Sequence, residues 1–196
     1  MPAEFIHFLR YLSGLDPAAS QTTPAERTVI ARHAAGKRAL VEIGVFEGLT
    51  TGVIGRAMAA DGVLYGIDPF IPGRLGICRG KLVAGREIAD LRRTRRVVFV
   101  RKFSFDALAD VPRELDFAFI DGDHSLDAIA RDWADWSPRV TAGGIMALHD
   151  TLVPPHNPGV AALGSCRYYE SHIRHDDRFE IVEQVHSLTV LRRKPV

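Results

Sequence analysis

Cysteine is scarce. Cys78 and Cys166 are the only two in 196 residues, far apart and without CxxC spacing. That excludes a disulfide framework and a zinc site built on cysteine alone, so both are expected as free thiols. Long hydrophobic runs are missing as well. The longest spans four residues, as at Phe117 to Ile120, against the ~20 of a membrane helix and the roughly 7–15 of a signal-peptide core. The expectation is a soluble, cytoplasmic protein with no membrane partner. A dominant charge is also lacking: 25 Lys and Arg face 24 Asp and Glu, for a net charge of +1. This argues against a dedicated nucleic-acid binder. No internal repeat, low-complexity tract or Pro/Gly-rich linker divides the chain.

What is present is ordinary globular material, 46% hydrophobic and 25% charged, in a length suited to about one domain of ~150 residues or slightly more. Phe5, Phe8, Leu9 and Leu12 recur at helical spacing until Gly14, leaving an apolar face for the chain's own domain or for a second copy in a homodimer. Thr23, Pro24 and Glu26 form a capping box that opens a second helix, closed by Gly36. Apolar segments then alternate with helical patterns. Strands are expected at 39–43, 63–67, 97–100, 115–120 and 145–148, with helices at 49–60, 81–93, from Ser104 through Ala109, from Ser125, and near 161–173. Two more strand-like stretches, 179–184 and 187–192, follow so closely that only an antiparallel hairpin can join them. The fold class expected is α/β: a Rossmann-like, doubly wound, mostly parallel seven-stranded sheet with an antiparallel C-terminal hairpin.

The most informative stretch runs Val41-Glu42-Ile43-Gly44-Val45-Phe46-Glu47-Gly48-Leu49-Thr50, from the first strand into a helix. Gly44 and Gly48 permit a tight turn and close approach of a ligand, and the helix start offers free N–H groups. Asp68 ends the next strand, where such sheets bind ribose hydroxyls. A dinucleotide fingerprint would have a second glycine at Phe46, and Glu42 would repel a pyrophosphate but attract an ammonium group. A ligand with an amino-acid end and a ribose meets all of these demands, and S-adenosylmethionine is such a ligand.

A second cluster ends the later strands: Asp121-Gly122-Asp123-His124 after the fourth and His149-Asp150 after the fifth. All sit on the carboxyl edge of the sheet, where open α/β folds place their sites. Asp121 and Asp150, with His149 as third ligand, can hold Mg²⁺ or another divalent cation. His124 is spaced to take a proton from a hydroxyl. Asp123 reads as a helix cap or turn residue. Ten Lys and Arg between Arg74 and Lys102 read either as a solvated face or as an attraction for an acidic acceptor. No interleaved aromatic platform points to RNA.

These residues resemble the class I S-adenosylmethionine-dependent methyltransferases, and more closely the small metal-dependent O-methyltransferases of the catechol, caffeoyl-CoA, sugar and macrolide types. The resemblance runs from about Ala39 to the C-terminus. It implies that Glu42, Gly44 and Thr50 hold the methionine end, Asp68 the ribose, and Ser104 the adenine. It also implies that Asp121 is a metal ligand with Asp150, and that His124 stands at the catalytic base. Catechol-type relatives end the fifth strand in Asp-Asn where this chain has His149-Asp150. Residues 1–38 then correspond to a helical lid or dimer contact, and residues 39–196 to the cofactor-binding domain. The expected activity is O-methylation of a small hydroxylated acceptor. The alternatives are a nonenzymatic cofactor-binding protein of the same fold and a NAD-dependent oxidoreductase.

Overall fold

A computed structural model of the chain describes residues 3–73, 76–91 and 96–195. Of the basic stretch, Arg74, Arg92, Arg93 and Arg95 lie outside them. Two helices lead, α1 (Ala3–Leu12) and α2 (Pro24–Ala34), followed by β1 (Ala39–Ile43), α3 (Leu49–Ala57), β2 (Val63–Ile67), α4 (Arg79–Glu87) and β3 (Arg96–Val100). Then come β4 (Leu115–Ile120), α5 (Leu126–Trp136), β5 (Val140–Leu148), α6 (Gly164–Ser171), β6 (Phe179–Val185) and β7 (Leu188–Arg193).

The seven strands form one sheet in the order β3-β2-β1-β4-β5-β7-β6. The first five are parallel, while β7 runs antiparallel to both β5 and β6. This is the expected doubly wound sheet with its terminal hairpin. Register levels the carboxyl ends, since Ile43 pairs with Ile67 and Ile120, and Ile120 with Leu148. The residues just beyond continue the ladder: Gly44 donates to the Ile67 carbonyl, Asp121 to Ile43 and His149 to Ile120. Three chemically interesting positions are thereby fixed on one edge by backbone bonds. The strand order reverses between β1 and β4, so Gly44 and Asp121 meet at the topological switch point.

Alternation along the strands feeds two cores. Val41, Ile43 and Ile120 face Trp133, Trp136 and Tyr169 beneath α5 and α6. Leu40, Phe117 and Phe119 face Ile30 of α2, Ile54 of α3 and Met58 just beyond it. Each such fully buried side chain contributes roughly 1.5–3 kcal/mol. The capping box forms as read: Thr23 Oγ1 accepts the Glu26 N–H, and Glu26 Oε2 accepts the Thr23 N–H.

Several boundaries differ from expectation. Helix α3 stops at Ala57 because Met58 is extended. Helix α4 is shorter than expected, ending at Glu87. The segment at Ser104 is a single 3-10 turn that its hydroxyl does not cap. Strand β5 begins at Val140, because Gly143, at φ +76°, supplies the irregularity that lets the chain enter the sheet early. No helix among the described residues is long and apolar enough to cross a membrane.

Candidate active site

The glycine turn is dictated by close backbone contacts. Gly44 has φ +89°, and a Cβ there would stand 2.0 Å from the Asp121 carbonyl oxygen. Gly48 has φ +80°, and its Cβ would lie 2.7 Å from Ala84 Cα of α4. Gly44 therefore lets β1 and β4 close on each other, and Gly48 lets α4 cross the start of α3. Between them Phe46 also occupies the left-handed region, at φ +53°.

Asp68 fastens this turn to β2. Its Oδ2 accepts the N–H groups of Val45 (3.1 Å) and Phe46 (3.0 Å), and its Oδ1 accepts that of Phe70 (2.7 Å). Beneath the turn lies Glu42, wholly buried, with neither carboxyl oxygen hydrogen-bonded. The Thr51 hydroxyl faces it without a bond of normal geometry. Burial pushes the Glu42 carboxyl well above its ordinary range; Thr51 opposes this in part, and the charges of Asp121 and Asp68 add to it. A positive ligand nearby is what would bring it back down.

These residues border a cavity of about 660 Å³. It gathers Gly44, Thr50, Asp68, Ser104, Asp121 and His124 of the expected set. Glu42 and Gly48 lie just behind its wall, and His149 and Asp150 also fall outside its lining. Three residues of the N-terminal segment, Ala19, Ser20 and Gln21, complete one side. That segment is anchored where Glu47 Oε2 accepts the Ala19 N–H at 2.6 Å and meets His7 Nε2 at 3.0 Å. Thr50 is buried beneath it, 3.3 Å from the Thr22 hydroxyl. Sequence reasoning missed this wall, because no motif marks residues 19–21.

The opposite end is aromatic. Phe103 and Phe105 stack with centroids 5.4 Å apart, and the Arg131 guanidinium lies 3.9 Å over Phe105. Ser104 donates its hydroxyl to Asp132, which is buried on α5 and lines the cavity. Burial pushes the Asp132 carboxyl up to about 6 despite that bond. Asp132 was legible only as an acid next to Trp133 on the apolar side of α5. Among the described basic residues, Lys102 pairs with Asp110 at 2.7 Å, and Arg101 donates to the Pro69 and Phe70 carbonyls.

At the rim, His124 places Nε2 at 3.9 Å from Asp121 Oδ1 and Nδ1 at 3.7 Å from Asp150 Oδ2. Asp123 accepts the Ser125 N–H at 2.8 Å, a turn role. His149 is almost wholly buried. Its Nδ1 lies 3.0 Å from Asp121 Oδ1 and 3.5 Å from Asp150 Oδ1. Its Nε2 lies 3.1 Å from Ser187 Oγ and 3.5 Å from Glu26 Oε2. Burial opposes the imidazolium, but hydrogen bonds to Asp121 and Glu26 and the Asp150 charge outweigh it and hold the ring up to about 10. The expected metal triad of Asp121, His149 and Asp150 does not fit a divalent cation. A metal ligand needs a ring nitrogen with a free lone pair, and both His149 nitrogens are turned to acceptors. Among the described residues, no three His, Cys, Asp or Glu side chains are arranged to hold a metal ion.

Residues 41–151, the strand-turn-helix core through the His149-Asp150 rim, match the model of a methyltransferase domain. The chain belongs to that family. By this match and its sheet order it is a class I S-adenosylmethionine-dependent methyltransferase. Solved structures share the fold at low identity. An O-methyltransferase from Bacillus cereus, solved with S-adenosylhomocysteine, is 17% identical with TM-score 0.67, covering 98% of this chain and 92% of its own. The Streptomyces achromogenes O-methyltransferase TomG, involved in tomaymycin synthesis and solved with S-adenosylmethionine, is 18% identical with TM-score 0.63, over 98% and 89%. An rRNA methylase from Streptococcus thermophilus is 13% identical with TM-score 0.61, over 90% and 100%. Two O-methyltransferases and an rRNA methylase share this fold, so likeness of fold does not name an acceptor.

Proposed function

We propose that this methyltransferase methylates a hydroxyl oxygen of a small molecule, with His124 as general base. The observation that carries the reading is that His124 and Asp121 share the wall of the cofactor-sized cavity. The cofactor supplies an electrophilic methyl group on a sulfonium. Gly44 and Thr50 border the methionine end, with Glu42 behind them as the buried carboxyl that answers its ammonium group. Asp68, already held by three backbone N–H groups, takes the ribose, and Ser104 with the Phe103–Phe105 face takes the adenine. His124 accepts the acceptor's hydroxyl proton, while Asp121 and Asp150, facing its two nitrogens, orient the ring and stabilise the imidazolium that forms. Alignment of both reactants in one cavity supplies much of the rate, ~7–11 kcal/mol in favourable cases.

Residues 1–38 act in this reading as a cover over the methionine end, through Ala19 to Gln21. No catalytic step is assigned to a divalent metal, because His149 fills the place between the carboxylates. The test is a screen of phenolic, sugar and carboxylated acceptors with methyl-labelled cofactor. Label transferred to oxygen, and lost in His124→Ala, supports the reading. Label transferred only to nitrogen, carbon or RNA contradicts it.

A further inference from the structure

The Glu26 side chain has a second role beyond its helix cap. Its Oε1 accepts both the backbone N–H (2.9 Å) and the hydroxyl (2.8 Å) of Ser187, in the turn between β6 and β7. Its Oε2 accepts the Thr23 N–H and faces His149 Nε2. No part of Glu26 is exposed, and the His149 ring is nearly as enclosed. A buried carboxylate without a partner is costly, and His149 Nε2 is the ring nitrogen within reach of Glu26, at 3.5 Å. Across the ring stand Asp121 and Asp150, the other two carboxylates that face it, with His124 beyond them at the rim. Asp150 is itself held at φ +53°, with its carbonyl accepting the Ser165 hydroxyl at 2.9 Å. The ring is thus clamped from α2, from the ends of β4 and β5, and from the terminal hairpin.

We propose that His149, clamped between Asp121 and the Glu26–Ser187 pair, fills the place between the rim carboxylates that the expected divalent metal would need, and that Glu26 is the positioning residue that holds the ring there. The proposal rests on the reading of Asp121 and Asp150 as the acceptor-side rim. With Nδ1 engaged by Asp121 and Nε2 by Ser187 and Glu26, the ring turns no nitrogen to an incoming ion, so a hard cation seeking near-octahedral oxygen ligands finds the position taken. The N-terminal segment then does more than cover the cofactor. Through Glu26 it sets the orientation of Asp121 from the far side of the sheet edge.

The test uses the full chain, with Mn²⁺ as probe, followed by electron paramagnetic resonance with and without S-adenosylhomocysteine. Wild type is expected to show no stoichiometric Mn²⁺ site up to millimolar metal in either condition. His149→Asp, which restores an all-oxygen rim, is expected to gain one. One Mn²⁺ bound per wild-type chain and lost in Asp121→Asn would overturn the proposal. The role of Glu26 is read separately from the ¹⁵N shifts of His149 in wild type and Glu26→Gln. Wild type is expected to show both ring nitrogens hydrogen-bonded at pH 8, and the variant to lose that signature at Nε2. Its retention in a folded Glu26→Gln sample would contradict the positioning role. The wild-type Mn²⁺ arm needs no variant to fold. Calorimetric binding of S-adenosylhomocysteine to the same sample reports on the cofactor reading independently, so failure of one is distinguishable from failure of the other.

Discussion

The Cβ that Gly44 lacks would stand 2.0 Å from the carbonyl oxygen of Asp121. The first residue beyond β1 and the first beyond β4 are therefore in direct backbone contact at the switch point, and the cavity opens from that contact. Gly44→Ala must both push this contact apart and place a side chain at φ +89°. The expected loss of stability is at least about 2 kcal/mol, accompanied by weaker cofactor binding. Thermal unfolding and calorimetry with S-adenosylmethionine check it. An unchanged midpoint and affinity would mean that the turn is looser than described.

Asp68 joins structure and binding in one carboxylate. Asp68→Asn keeps the size but turns an amide N–H₂ toward one set of backbone donors. Losing charge-assisted hydrogen bonds of about 1.5–3 kcal/mol each predicts cofactor affinity lower by roughly tenfold or more, with the fold retained. Circular dichroism and a binding isotherm separate the two effects.

Asp132 gives a pH dependence whose sign is fixed. Its carboxyl, near 3.8 when unfolded, is raised to about 6 in the folded chain. The folded state therefore holds its proton more tightly, and this contribution to stability is present at low pH and lost as pH rises through about 6. Asp132→Asn should remove that part of the pH profile and raise stability at pH 7.5 relative to wild type. Denaturant midpoints measured from pH 4 to 8 report it. A wild-type-like profile in the variant would assign the slope to other groups.

His124 separates binding from chemistry. His124→Ala should lower turnover by about 10²–10⁴-fold, the usual weight of a general base, and leave cofactor affinity nearly unchanged. Steady-state kinetics on an acceptor found by screening, beside a binding isotherm, decide it. A loss confined to cofactor affinity would remove His124 from the proton-transfer role.

The parts of this site that are local in sequence were legible there. Gly44, Asp68 and Asp121 each follow an apolar strand directly, so alternating periodicity places them on one edge without knowledge of tertiary contacts. Glu26 was legible only as a helix cap, because its partner Ser187 is 161 residues away in the chain. The same distance hid the fate of His149. A histidine beside an aspartate at a strand end reads as a ligand until Glu26 and Ser187 are seen on its other nitrogen. Asp132 and the 19–21 wall were hidden for a similar reason: neither periodicity nor a motif reports which polar residue of a helix or loop faces a cavity.

The central claim is that the cavity at the switch point is built for a sulfonium cofactor, and calorimetric titration of wild type tests it most directly. Titrants are S-adenosylmethionine, S-adenosylhomocysteine and NAD. The account predicts saturable one-to-one binding of the first two and none of NAD. A folded sample that binds neither S-adenosyl compound, or that binds NAD in their place, would contradict it.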